Sequence, residues 1–146
     1  DFLKSHNIPV ILSSTHSLPT RDDDDVDQAY KTAVQLHEKG ILFAFSHKLA
    51  WQQRNLAFQA GQAVGFGLPK EAAVQALTLH TAQIMGIADR CGSLTVGKDA
   101  TLFISEGDAL DMRSSQVTAA FIQGREINLD NKHKQLSRRF DAKYKQ

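Results

Sequence analysis

The sequence predicts an α/β fold that is followed by a small all-β layer. Two short apolar runs, at residues 10–13 and 41–45, have the β-branched and aromatic composition of buried strands. Between them, apolar residues recur at helical spacing over residues 26–39. From Cys91 onward, short β-type runs punctuated by glycine replace the helical patterns. The chain therefore reads as parallel strands joined by helices, and then as antiparallel strands.

The first segment, "DFLKSHNIP", is typical of the last turns of a helix. Asn7 and Pro9 stop it, and the sequence has no initiator methionine. We therefore expect the chain to begin in the middle of a larger structure.

A strand–helix–strand unit follows. The aspartates at positions 22–25, with Asp27, suit a helix N-terminus, and Gly40 is placed to end that helix in a left-handed cap. Such a unit makes its two strands parallel, with a right-handed crossover. His16 and His47, which follow the two strands, should then lie beyond the same carboxyl edge of one sheet.

Three further helices are predicted before the β layer begins. Residues 55–66 form a helix rich in small residues, Pro69 opens a second one, and "TAQIMGI" forms a third that closes at Gly86. Beyond residue 91, "GSLTVGKDATLFIS" and "VTAAFIQGREIN" read as strands, the second folding into a hairpin around Gln123 and Gly124.

The tail at residues 131–146 is polar and basic, and it is predicted to be helical. Leu136, Phe140 and Tyr144 recur at i, i+4 and i+8, so we expect this face to pack against the body of the protein.

Composition argues against several classes of partner. The formal charge of +1, from 17 basic and 16 acidic residues, creates no field that would attract nucleic acid or an anionic membrane. No apolar run approaches the roughly 18 residues that a membrane span needs. The single cysteine, Cys91, excludes an internal disulfide. Neither nucleic acid nor membrane is expected as a partner, and the sequence does not indicate a cellular compartment.

One long ordered motif resembles a known family. It combines A-L-T-L-x-x-A-x-x-x-G, then G-S-L-x-V-G-K-D-A-x-L, a G-D-x-L turn at Gly107, Asp108 and Leu110, and the strand "FIQGREI". This order is similar to the C-terminal end of the metal-dependent amidohydrolases, in particular the imidazolonepropionase-like group. The resemblance covers residues 40–129 strongly and residues 1–39 more weakly.

The resemblance implies a specific architecture. Residues 1–90 would be the last two β/α units of a (β/α)8 TIM-type barrel, with its seventh strand at 10–13 and its eighth at 41–45. Residues 91–129 would be strands of a β-sandwich that the N-terminal part of a longer protein completes, and 130–146 a polar C-terminal helix. Two barrel strands alone leave an open edge and bare inner faces, so we expect the isolated segment either to associate through that edge, as in a homo-oligomer, or to fold poorly.

The resemblance also implies a chemistry. In these enzymes a His-x-His pair on the first strand, ligands on middle strands and an aspartate after the eighth strand hold one or two divalent ions, usually zinc. A metal-activated water then attacks the carbonyl carbon of a small amide, peptide or cyclic amide. The ligands would lie upstream of Asp1, and no metal ligand is expected within this segment.

The chain departs from the family where the aspartate is expected. The stretch "GILFAFSHKLAW" places Ser46, His47 and Lys48 there, and none is a carboxylate. His47 is the candidate catalytic residue, because a neutral imidazole can carry a proton or bind a metal. The alternatives are a rim histidine hydrogen-bonded to a loop, or a degenerate family member that serves as a binding or assembly module.

Three further residues are candidates for substrate binding. His16 lies on the same predicted rim, Lys48 would neutralise an anionic group, and Arg54 would reach a substrate carboxylate. The simpler interpretations stay open: a free loop histidine, a solvated lysine, and an arginine that caps a helix or pairs with a nearby acidic residue.

Overall fold

A computed structural model describes residues 1–145 of the protein. The helices are α1 (Phe2–Ser5), α2 (Gln28–Glu38), α3 (Leu56–Gly65), α4 (Lys70–Leu77), α5 (Leu79–Ile84) and α6 (Lys132–Tyr144), with a 3₁₀ helix at Ala50–Asn55. The strands are β1 (Val10–Leu12), β2 (Phe43–Phe45), β3 (Leu102–Ser105), β4 (Val117–Ile122) and β5 (Arg125–Glu126).

The first sheet is a parallel pair. Val10 pairs with Phe43 and Leu12 with Phe45, and the Ser46 N–H extends the ladder by donating to the Leu12 carbonyl at 2.7 Å. Helix α2 connects the two strands, and Gly40 follows it with a φ of 64°, the left-handed conformation that glycine adopts without strain. The predicted strand–helix–strand unit is therefore confirmed.

The first strand is less buried than its composition predicts. Ile11, at the centre of β1, is 53% exposed, whereas all three residues of β2 are buried. The β-branched composition indicates a strand, but it does not indicate what covers each face.

The aspartates before α2 act differently from the prediction. The Asp24 carboxylate accepts the N–H groups of Thr20 and Arg21, and the Asp25 carboxylate accepts that of Asp27. They close turns before the helix, which begins at Gln28 with no side-chain cap from Asp27. Because these turns use the carboxylates, the helix starts two residues later than predicted.

The core lies between β2 and the helices α2, α3 and α4. Phe43, Phe45, Leu68 and Leu110 are its large buried side chains, and alanines fill the spaces between the helices. This packing explains the small residues that the sequence concentrates in α3 and α4. It fixes the position of α3, which borders the candidate site described below.

The second sheet is antiparallel, in the order β3–β4–β5. Gln123 and Gly124 connect β4 to β5 with φ values of 50° and 77°, so both central residues are left-handed, as in a type I′ turn. The predicted hairpin is confirmed. Phe103 and Ile104 of β3 are each about half exposed, so within residues 1–145 no second sheet covers this one.

Packing of the C-terminal helix against the body was also a wrong prediction. No residue of α6 is buried, and Leu136, Phe140 and Tyr144 are all exposed. Local contacts hold the helix instead: Asn131 caps it by accepting the Lys134 N–H, and Arg138 pairs with Asp130. Among the described helices, none is both long and apolar enough to cross a membrane.

Gly61 sets how closely α3 approaches the loop that contains Leu110. A Cβ at position 61 would lie 2.1 Å from the Leu110 carbonyl oxygen, whereas a Cβ at Gly65 would meet nothing within 4 Å. We expect Gly61→Ala to lower the free energy of unfolding by about 3 kcal/mol. The matched control Gly65→Ala should raise it by about 0.5 kcal/mol, by restricting the unfolded chain. Urea denaturation measures both, and equal effects would show that α3 and the loop are not in close contact.

Candidate functional site

The carboxyl ends of β1 and β2 lie side by side and form the rim of the candidate site. Thr15 and His16 follow β1, and Ser46 and His47 follow β2. The predicted placement of both histidines beyond one sheet edge is therefore confirmed. In α/β folds, ligands bind beyond the carboxyl ends of parallel strands, so this rim is where a site is expected.

His47 holds the rim together through two hydrogen bonds. Its ring Nδ1 accepts the Leu49 N–H at 3.2 Å, and its backbone carbonyl accepts the Gln53 Nε2–H at 2.9 Å. A ring whose Nδ1 accepts a proton donor is neutral and carries its own proton on Nε2. With Nδ1 accepting, Nε2 is the nitrogen of His47 that can donate a hydrogen bond.

His16 is held by aromatic contacts. Its ring lies edge-on to Tyr30, with centroids 5.5 Å apart, and Tyr30 stacks on Phe66 at 4.9 Å. The neighbouring Thr15 is buried, and its hydroxyl lies 3.5 Å from the Gln59 Oε1. These contacts join the end of β1 to α2 and α3.

A groove of about 620 Å³ opens beside His16 and continues along α3. The loop of residues 107–112 also lines the groove, and in it the Asp108 carboxylate contacts the Lys70 ammonium at 2.7 Å. The hydrogen bond from Lys70 is the main reason that the pKa of Asp108 is lowered, and the hydrogen bond from the Leu110 N–H lowers it further. The hydrogen bonds from the Arg113 N–H and the Ser114 hydroxyl lower the pKa of Asp111. The lining of the groove therefore includes two carboxylates, one of them paired with the Lys70 ammonium, and the imidazole of His16.

One face of the 3₁₀ helix and α3 presents four carboxamides to this groove, a feature that the sequence reading missed. They are Gln52, Asn55, Gln59 and Gln62. Their spacing of three, four and three residues is that of a single helix face, so the pattern "QQRNLAFQAGQ" would have revealed them. Carboxamides both donate and accept, which suits a groove that binds amide or hydroxyl groups.

Lys48 and Arg54 lie at the rim but outside the groove lining. Neither makes an ion pair within residues 1–145. The Arg54 guanidinium lies over the Trp51 ring, with its central carbon 3.9 Å from the ring centroid. Of the four candidate site residues, only His16 lines the groove; His47 organises the rim next to it.

The chain's own residues do not fit a metal centre by themselves. Within residues 1–145, no three His, Cys, Asp or Glu side chains cluster closely enough to hold an ion. To bind a metal through Nε2, His47 would also have to move its proton to Nδ1 and give up the bond from Leu49.

Comparison with known proteins identifies similar molecules. The model of the amidohydrolase family matches residues 21–127. The crystal structure of an amidohydrolase from Thermotoga maritima MSB8 is similar over 87% of this chain and 33% of its own, at 29% identity and a TM-score of 0.73. A Xaa-Pro dipeptidase with methionine bound in its active site matches over 71% of this chain and 27% of its own, at 27% identity and a TM-score of 0.60.

A putative prolidase from Bifidobacterium longum shares the fold, with 21% identity and a TM-score of 0.64 over 93% of this chain and 39% of its own. The chain therefore spans about a third of the length of the solved structures that it matches. No protein of curated function matches it.

Two substitutions separate the structural role of His47 from its chemical role. Asparagine can accept the N–H two residues ahead through its side-chain oxygen, so His47→Asn keeps the bond to Leu49. Alanine cannot, and His47→Ala should lower the free energy of unfolding by about 1 kcal/mol. We expect His47→Asn to stay within about 0.5 kcal/mol of the wild type in urea denaturation. Equal destabilisation by both would show that the Leu49 bond does not form.

Proposed function

Because the chain belongs to the amidohydrolase family, we propose that it forms the C-terminal part of a hydrolase that cleaves a carbon–nitrogen bond. The family match over residues 21–127 carries this proposal. The likeness to the Thermotoga maritima amidohydrolase supports it, since that structure shares both sequence and fold with the chain.

We propose that β1 and β2 are the last two strands of a (β/α)8 barrel. Their parallel pairing and the exposed Ile11 on β1 are what two neighbouring barrel strands would show without the rest. Residues 1–90 would belong to the barrel, 91–129 to a β-sandwich and 130–146 to a terminal helix. The unpaired edges of the β1–β2 pair would be where another part of the protein, or a second copy, associates.

The proposed substrate is a small amide, dipeptide or cyclic amide. The Xaa-Pro dipeptidase, at 27% identity, favours a peptide bond among these. The carboxamide face of the groove supports the same choice, because peptide groups pair with carboxamides through a donor and an acceptor at once.

A divalent metal, usually zinc in this family, would be held by ligands outside residues 1–145, because the described residues do not form a site of their own. The part proposed for this chain is to bind and polarise the substrate. The Nε2–H of His47 would donate to the substrate carbonyl oxygen as negative charge develops there. Lys48 would add positive charge at the rim, and His16 would contact the substrate from the groove.

A second function, a degenerate relative that binds a small molecule or serves in assembly, is favoured by one observation. No carboxylate stands at positions 46–48, and the imidazole in its place is already bonded through Nδ1. Without an acidic group to accept a proton from water, a barrel of this kind would keep its pocket and lose turnover.

The test is an assay of amine release by the metal-loaded full-length protein, with dipeptides, N-acyl amino acids and cyclic amides as substrates. We expect hydrolysis of at least one class, and a fall in kcat of about 100-fold in His47→Asn with KM nearly unchanged, because the lost donor acts on the developing charge.

The matched control is His37→Asn, on the exposed end of α2 away from the rim, which should leave both constants unchanged. Absence of hydrolysis across all three classes would refute the hydrolase and support the binding module. Full activity of the His47→Asn variant would show that His47 has no part in catalysis.

A further inference from the structure

An exposed tryptophan and an arginine contact each other at the rim. Trp51 is the only tryptophan of the sequence, and it is 68% exposed on the 3₁₀ helix that follows β2. The central carbon of the Arg54 guanidinium lies 3.9 Å from its ring centroid. Both side chains are exposed, so core packing does not explain why they are together.

The charge of Arg54 is not neutralised by the described part of the chain. None of the ion pairs within residues 1–145 includes it. A cation–π contact with an aromatic ring uses none of the N–H groups of a guanidinium, so they stay available to an acceptor. A carboxylate is the acceptor that matches that fork, through two parallel hydrogen bonds.

The segment that carries this pair is tied to His47. Gln53, which lies between Trp51 and Arg54, donates its side-chain N–H to the His47 carbonyl at 2.9 Å. The Leu49 N–H, at the start of the same segment, donates to the His47 ring. Arg54 is thus held in a fixed relation to the proposed catalytic imidazole by two bonds and one aromatic contact.

We propose that Trp51 holds Arg54 in place as a receptor for a free carboxylate of the substrate. The inference rests on the proposed function, and it narrows the substrates to amides and peptides that carry a carboxylate. Trp51 is a positioning residue, because it acts through Arg54 and does not itself contact the substrate.

The experiment measures binding, not turnover. Calorimetry on the full-length protein compares L-leucine with L-leucinol, which replaces the carboxylate by a hydroxymethyl group; neither contains an amide bond. We expect the wild type to bind leucine at least about tenfold more tightly than leucinol, as a forked carboxylate contact would give. Arg54→Gln should remove that preference.

Two substitutions of Trp51 test the positioning role. Trp51→Leu should weaken leucine binding about fivefold and leave leucinol unchanged, because the aromatic face that orients the guanidinium is lost. The conservative Trp51→Phe keeps a ring and should stay within about twofold of the wild type for both ligands.

Several results would overturn the proposal. These are equal binding of leucine and leucinol by the wild type, no binding of either, or an equal loss for both ligands in Trp51→Leu, which would indicate a merely structural role. Failure of the hydrolase proposal gives a different result: no amine release in the assay above, with the preference for leucine intact.

Discussion

The parallel pairing of β1 with β2 is the contact on which the rest of the structure depends. The pairing brings the carboxyl ends of two strands, separated in sequence by all of α2, to one edge. All three residues of β2 are buried, and Phe43 and Phe45 belong to the core that α2, α3 and α4 share. The register of this pairing determines where each rim residue lies, because a shift of one strand by one residue would turn its side chains to the other face of the sheet.

His47 links this scaffold to the chemistry. The family resemblance leads one to expect a carboxylate here, and the chain has an imidazole that is bonded to the backbone two residues ahead. That bond leaves the ring proton on Nε2, and we propose that His47 donates it to the substrate where a carboxylate would be an acceptor. If the protein is a hydrolase, its water must give up a proton to another group, and His47 acts on the carbonyl side of the reaction.

Local features were predictable from the sequence, and features that depend on distant partners were not. Gly40 and the Gln123–Gly124 turn follow from backbone sterics, which residues a few positions away decide. The exposure of Ile11 and of Leu136 depends on what lies across a sheet or a helix, and neither sequence pattern identifies that partner. At the site, the strand order placed His16 and His47 at one edge, but the bond from Leu49 and the contact of Arg54 with Trp51 depend on side-chain rotamers that no spacing specifies.

Histidine resonances test most directly the claim that the rim of β1 and β2 is the substrate site. In the full-length protein labelled with ¹⁵N at histidine, N-acetyl-L-leucine would be titrated while the imidazole signals are followed. The account predicts that the signals of His16 and His47 shift together with one dissociation constant. The signals of His37 and His133, on the exposed surfaces of α2 and α6, should stay in place. Shifts confined to His37 or His133, or no shift at His47, would contradict it.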